Sequence, residues 1–193
     1  MRHPSRLQNL PPYPFARWAR HVEAARCEGL DIIHLDIGDP DMPPPDEVIE
    51  LLCQSAHQPD YHRYPGYRGM PALREAVAAY YQRRFGVTLR PETEVVTLIG
   101  SKEGIVNLAL AYLDPGDLVL VPNPGYAPYA MGAALAGAQV WLFPLLPELG
   151  FLPDLDAIPR DVANRAVLMW LNYPNNPTGA TADLTFLSEA VEF

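Results

Sequence analysis

Cysteine and lysine are almost missing from this sequence. Cys27 and Cys53 are the 2 cysteines among 193 residues, which leaves no disulfide framework and no zinc-ligand spacing and suits a reducing compartment. His57 and His62 lack an acidic partner at ligand spacing, so no metal site is expected. Lys102 is the single lysine; every other basic residue is an arginine. Positive charge is scarce as a whole: 14 basic against 23 acidic side chains give a net charge of −9. That balance argues against nucleic acid, whose phosphates need a basic face, while leaving room for a small anion in one local positive pocket. Long apolar runs are absent too. The longest, residues 166–171, is far too short to span a bilayer, and the N-terminal residues carry no continuous apolar stretch of the kind a secretory signal needs. No P-loop, G-x-G-x-x-G or G-x-S-x-G pattern occurs. A cytoplasmic protein that neither enters a membrane nor binds nucleic acid is expected.

What is present describes a globular chain. Apolar residues make up 49% and charged residues 19%, too apolar and too weakly charged for disorder. A chain of this length buries roughly 70% of the surface it exposes when unfolded. Its 22 prolines are about twice the usual share of roughly 5%, and they fall between periodic segments. The apolar spacing of Phe15, Trp18, Ala19, Val22 and Ala25 is helical and ends at Gly29. Residues 32–37 have the character of a short strand; Asp46 opens a helix to about Ala56; Pro71 opens another ending near Gly86, with Leu73, Val77, Tyr80 and Tyr81 on an apolar face expected to be core and the Arg83–Arg84 pair in solvent. From there strands and helices alternate. Strands are expected at 94–99, 117–121, 139–143 and 165–171, and helices at 103–113, with Ile105, Leu108, Ala109 and Tyr112 inward, at 126–136 and from Asp183 onward. Near-continuous apolar strands separated by helices predict an α/β fold, a mostly parallel sheet covered on both faces. The last helical segment has no stop signal before Phe193, and the expectation is a fragment of a longer protein.

Three loops at the carboxyl ends of strands concentrate the chemistry, and in an open α/β sheet that edge is where ligands bind. In Gly100-Ser101-Lys102-Glu103-Gly104 a tight turn leads into a helix, and Ser101 is placed as its N-cap. The unpaired amides, the helix dipole, the serine hydroxyl and the lysine together suit a phosphate, although the segment taken alone reads first as an ordinary strand-to-helix turn with a capping serine. In Asn123-Pro124-Gly125-Tyr126-Ala127-Pro128-Tyr129 the prolines stiffen a loop that holds Tyr126, on which a planar ligand can stack; taken alone, the loop reads first as a rigid turn with a packed tyrosine. In Asn172-Tyr173-Pro174-Asn175-Asn176-Pro177-Thr178-Gly179 carboxamides that do not titrate are pinned by prolines and can donate to a phenolate oxygen.

Together, in this order, GSKEG, NPGY and NYPNNPTG resemble the pyridoxal-phosphate-dependent aminotransferases of fold type I. The LDIGDPD segment and YHRYPGYRGMPALREAVAAYYQRRFGV look like its aspartate-aminotransferase-like group, while GSKEGI, NPGYAPY and FLPDLDAIP resemble the LL-diaminopimelate aminotransferase-like branch. The likeness runs from about Leu10 to Phe193. It implies an incomplete large domain over 46–193, preceded over 1–45 by an N-terminal arm and part of a small domain. It implies pyridoxal 5'-phosphate as cofactor, with its phosphate held by Ser101 and Lys102, its ring stacked on Tyr126 and its phenolic oxygen bonded to Asn176. Tyr64 resembles the tyrosine that reaches the phosphate in the neighbouring subunit of a homodimer. Gly38 and Tyr13 match positions beside the substrate. The implied reaction is transamination between an amino acid and a 2-oxo acid in amino-acid biosynthesis.

The same resemblance places the cofactor-linked catalytic lysine, and the arginines that grip substrate, beyond Phe193. Lys102 belongs to the phosphate motif and does not replace that lysine, so the 193 residues alone are expected to be inactive. A carbon–sulfur β-lyase of the same fold and a non-catalytic binding or dimerisation module are the alternatives. Trans is the ordinary X–Pro geometry; the resemblance nevertheless raises the expectation of cis bonds at Asn123–Pro124 and Asn176–Pro177.

Overall fold

The structure, a computed structural model, describes residues 8, 10, 14–33, 35, 38 and 40–193, with side chains in the first helix from Trp18 onward. Along the chain come helix α1 (Pro14–Cys27), α2 (Asp46–Ala56), a 3-10 turn (Pro59–His62), α3 (Pro71–Phe85), α4 (Ser101–Tyr112), strand β1 (Leu118–Asn123), α5 (Pro128–Ala136), β2 (Gln139–Pro144), a 3-10 turn (Pro147–Leu149), α6 (Arg160–Arg165), β3 (Ala166–Met169) and α7 (Leu184–Glu192). By contact the chain divides into two compact units, Met1–Pro12 with Leu98–Phe193, and Tyr13–Thr97.

Helix boundaries follow local chemistry. Asp46 and Glu47 sit in the first turn of α2, where negative charge meets the positive helix end. Pro71 and Pro128 begin α3 and α5 in positions where the missing N–H costs nothing, and Gly86 and Gly137 close them in the left-handed conformation. Asp183 caps α7, its Oδ1 accepting the Phe186 amide at 2.8 Å.

The first unit contains the sheet. Three parallel strands lie in the order β2-β1-β3, with Leu118 opposite Gln139 on one side and Ala166 on the other. Strand side chains alternate between faces, so β1 supplies two cores. Val119 and Val121 pack with Ala109, Leu113, Tyr129, Ala133 and Ala136. Leu120, on the opposite face, packs with Phe143, Leu145 and Ile158. This is the expected α/β arrangement, with the central strand buried from Leu118 through Pro122.

Several expectations are corrected. Residues 94–99 form no strand. Glu94 closes a turn instead, its carboxylate accepting the Arg90 amide at 2.7 Å and the Arg90 guanidinium at 3.0 Å. Residues 95–98 run on with no ladder partner among the described residues, and an apolar segment becomes a strand only by pairing. The expected strand at 32–37 lies partly outside the described residues, and 32, 33 and 35 are not in regular structure. The apolar face of α3 is not core: Leu73, Tyr80 and Tyr81 are exposed, while Ala78 and Arg74 are buried. Arg83 and Arg84 are exposed, as expected, and lie over the Tyr80 and Phe85 rings at 5.8 and 5.3 Å. On α4, Ala109 is fully buried and Ile105 packs on the core, but Leu108 and Tyr112 are exposed. The sequence pattern assigned no element between Phe143 and Arg165; the structure has the second 3-10 turn and α6 there.

Leu120 is 1% exposed at the centre of the sheet. Truncation there, Leu120→Ala, is expected to lower stability by about 2–5 kcal/mol through lost burial and a residual cavity. Denaturant unfolding of the full-length protein measures this, and a loss below about 0.5 kcal/mol, the level of an ordinary surface change, would contradict the assignment of the core.

Candidate functional site

The site is built where β1 and β3 end side by side. Because the strands are parallel and adjacent, both loops leave at the same edge, and the Trp170 amide, just past β3, donates to the Leu120 carbonyl at 3.0 Å. The first loop turns sharply. A Cβ on Gly125 would run into the Pro122 carbonyl oxygen, so only glycine permits this path. Asn123–Pro124 is cis, as expected, and so is Asn176–Pro177; Tyr173–Pro174, which the sequence did not single out, is cis as well.

Helix α4 starts differently from the expected pattern. The N-cap is Gly100, at φ +81 and ψ 159, a conformation suited to glycine, and Ser101 is the first helical residue. Gly100 has no side chain with which to cap the first turn. Glu103 turns back and accepts the Ile99 amide at 2.6 Å. The cap residue thus leaves the first amides of the helix to other acceptors, and Ser101 and Lys102 are the first two residues of that turn.

Of the residues singled out in the sequence, Lys102 and Tyr126 come together: the Lys102 Nζ lies 6.0 Å from the Tyr126 ring centroid. Asn176 is exposed in its turn, with its own amide donating to Asn172 Oδ1 at 3.1 Å. Its neighbour Asn175 is the structural asparagine, 4% exposed, its Nδ2 donating to Thr178 Oγ1 at 2.8 Å while its amide donates to the Ala180 carbonyl at 2.8 Å. Tyr64 is fully exposed on a loop of the second unit. A side chain at Gly38 would meet nothing within 4 Å. Tyr13 lies outside the described residues.

Two aromatic residues that the sequence reading did not select support the site. Tyr129 is 5% exposed and meets Tyr126 edge to face, centroids 5.8 Å apart at 84°. Its other neighbour is Trp170, stacked at 4.9 Å and 16°. Only strand pairing brings residue 170 to residue 129, so no local pattern could have linked them. Tyr173, in the asparagine-rich turn, donates from its hydroxyl to the Phe151 carbonyl at 2.9 Å. Burial pushes the phenols of both Tyr129 and Tyr173 above the ordinary tyrosine value, and for Tyr129 the adjacent Tyr126 adds to the rise.

Each of these groups has a chemistry it can offer a ligand. The glycine-led helix start and Lys102 suit an anion, Tyr126 suits a ring face, and a carboxamide at Asn176 suits an oxygen that accepts a hydrogen bond. Among the described residues no cluster of side chains could hold a metal ion.

The profile of the family described as aminotransferase class I and II matches residues 30–193. An LL-diaminopimelate aminotransferase of Moorella thermoacetica is 58% identical over 193 residues, covering 100% of this chain and 50% of its own length. A second, from Dehalococcoides mccartyi, is 52% identical and covers 97% of this chain and 48% of its own length. Among solved structures, apo BacF of Bacillus subtilis superposes with a TM-score of 0.92 at 43% identity, covering 100% of this chain and 49% of that one. A Thermus thermophilus aspartate aminotransferase mutant gives 0.89 at 34% identity, covering 100% and 50%. The chain spans about half the length of the curated relatives it matches.

Raised tyrosine values carry a pH signature. Below about pH 10 the folded and unfolded chains both keep the Tyr129 proton, so this group adds no pH dependence. Above it the unfolded chain releases the proton while the folded chain holds it, and stability falls. Denaturant midpoints of the full-length protein between about pH 9 and pH 11 should decline less steeply in Tyr129→Phe than in wild type. Identical slopes would contradict the burial of this phenol.

Proposed function

Because this chain belongs to the aminotransferase class I and II family, we propose that it forms the cofactor-binding part of a pyridoxal-phosphate-dependent transaminase acting on an amino acid and a 2-oxo acid. The observation that carries the reading is the convergence of Lys102, at a glycine-led helix start, on the ring of Tyr126 at the sheet's carboxyl edge. The names of the relatives support a donor of the LL-diaminopimelate kind, and so a place in amino-acid biosynthesis. In the complete protein, residues 1–45 contribute an arm and part of a small domain, and 46–193 the first part of the large one.

Pyridoxal phosphate, when bound, supplies the electron sink that makes proton exchange at an amino acid's Cα accessible. The residues of this chain bind and orient. Ser101, Lys102 and the first amides of α4 hold the phosphate end, joining hydroxyl, charge and helix dipole on one anion. Tyr126 backs the ring, held by a loop that Gly125 allows to turn. Asn176 donates from its carboxamide to the phenolic oxygen, and as a group that does not titrate it does so throughout the working pH range. Tyr64, from the neighbouring subunit of a homodimer, adds a hydroxyl at the phosphate. Gly38 and Tyr13 border the substrate. The lysine that moves the proton and the arginines that grip substrate belong to the part of the relatives that this chain does not span. A biosynthetic enzyme of this kind works in the cytoplasm; among the described residues no helix is long and apolar enough to cross a membrane.

Lys102 provides the direct test. In the full-length protein Lys102→Met should weaken pyridoxal-phosphate affinity by roughly 10- to 100-fold, the worth of a lost charge-assisted hydrogen bond, as measured by equilibrium dialysis. Unchanged affinity would contradict the phosphate assignment, as would borohydride reduction that links the cofactor to Lys102 itself.

A further inference from the structure

Tyr126 sits on a loop, and a loop does not by itself fix the plane of a ring. The fixing is done from behind. Tyr129, three residues on and 5% exposed, stands nearly perpendicular to Tyr126 at 5.8 Å and 84°. Trp170 stacks almost flat on the far neighbour of that pair, Tyr129, at 4.9 Å and 16°. Trp170 is in turn tied to the central strand, its amide donating to the Leu120 carbonyl at 3.0 Å. A rigid series therefore runs from β1 through Trp170 and Tyr129 to Tyr126, where Lys102 approaches at 6.0 Å.

The choice of tryptophan is informative. Its Nε1 is buried and finds no hydrogen-bond partner among the described residues, a penalty that phenylalanine or leucine would not carry. What the indole supplies is a broad, flat face for the Tyr129 ring.

We propose that Trp170 and Tyr129 are positioning residues that set the plane of Tyr126 and thereby the seating of the cofactor ring. The inference rests on the reading that this site holds pyridoxal phosphate. It requires flatness at position 170, not merely bulk. It also requires that Trp170 act through Tyr129, so that its effect vanishes when Tyr129 is already gone.

The experiment uses the full-length protein and its Trp170→Phe, Trp170→Leu, Tyr129→Leu and Trp170→Leu/Tyr129→Leu variants. Circular dichroism of the cofactor-free proteins first establishes a temperature at which all are folded. If Trp170→Leu does not fold, Trp170→Met, also non-planar, replaces it in both the single and the double variant. Pyridoxal-phosphate affinity and the position of the bound cofactor's absorption maximum are then read for each. Trp170→Leu should weaken binding roughly three- to tenfold, the range expected for one aromatic pair, and shift the maximum. Trp170→Phe should restore both, and the double variant should bind no more weakly than Tyr129→Leu. Equal losses in Trp170→Phe and Trp170→Leu, or additive losses in the double variant, would overturn the proposal and reduce Trp170 to packing. Wild-type affinity in every variant would also overturn it while leaving the cofactor reading intact. Failure of the wild type itself to bind pyridoxal phosphate would bring down that reading and the inference with it.

Discussion

Pairing of β1 on both of its edges is the constraint on which the rest of the first unit depends. Over Leu118–Leu120 the strand pairs with β2 on one side and β3 on the other, and from Val121 to Asn123 it continues against β2. Its side chains are free to serve two faces, Val119 and Val121 on one and Leu120 on the other. A strand held on four sides cannot slip, because a shift of one residue would exchange its two faces. Its carboxyl end is therefore a fixed point in space. The Asn123–Tyr126 turn starts from that point, and the bond that anchors Trp170 is made to the same strand, at the Leu120 carbonyl.

The site inherits its precision from this strand and its charge from very little. In a protein of net charge −9 the proposed phosphate site draws its positive charge from one lysine and one helix start. Gly100 lets the helix begin with no capping side chain, and Glu103, which would otherwise oppose an anion, is engaged with the Ile99 amide. The buried polar work in the third loop is done by Asn175, which closes its turn through Thr178 and Ala180. That division leaves the neighbouring Asn176 exposed at the ligand edge.

Much of this was legible in the residue order because the determining chemistry was local. Pro71, Gly86, Pro128 and Gly137 mark helix ends by backbone geometry alone, and the run from Leu118 to Val121 is apolar enough to be nothing but a buried strand. The three loops that the proposed site uses could be picked out for the same reason. What escaped depended on partners distant in sequence. Residues 95–98 have a strand's composition but no paired neighbour among the described residues. The α3 aromatics are periodic, yet no described element buries Tyr80 and Tyr81. Ser101 is a good capping residue displaced by a glycine whose conformation suits the position better. Trp170 and Tyr129 meet only because β3 pairs with β1.

The central claim is that one fixed strand end assembles a cradle for a phosphate-bearing ring. Crystallography of the full-length protein grown with pyridoxal phosphate tests it most directly. The phosphate should lie within hydrogen-bond distance, about 2.7–3.2 Å, of the Ser101 hydroxyl and the first amides of α4, with the ring against Tyr126 and its oxygen facing Asn176. A cofactor bound with its phosphate away from the start of α4, or with its ring off Tyr126, would contradict the account.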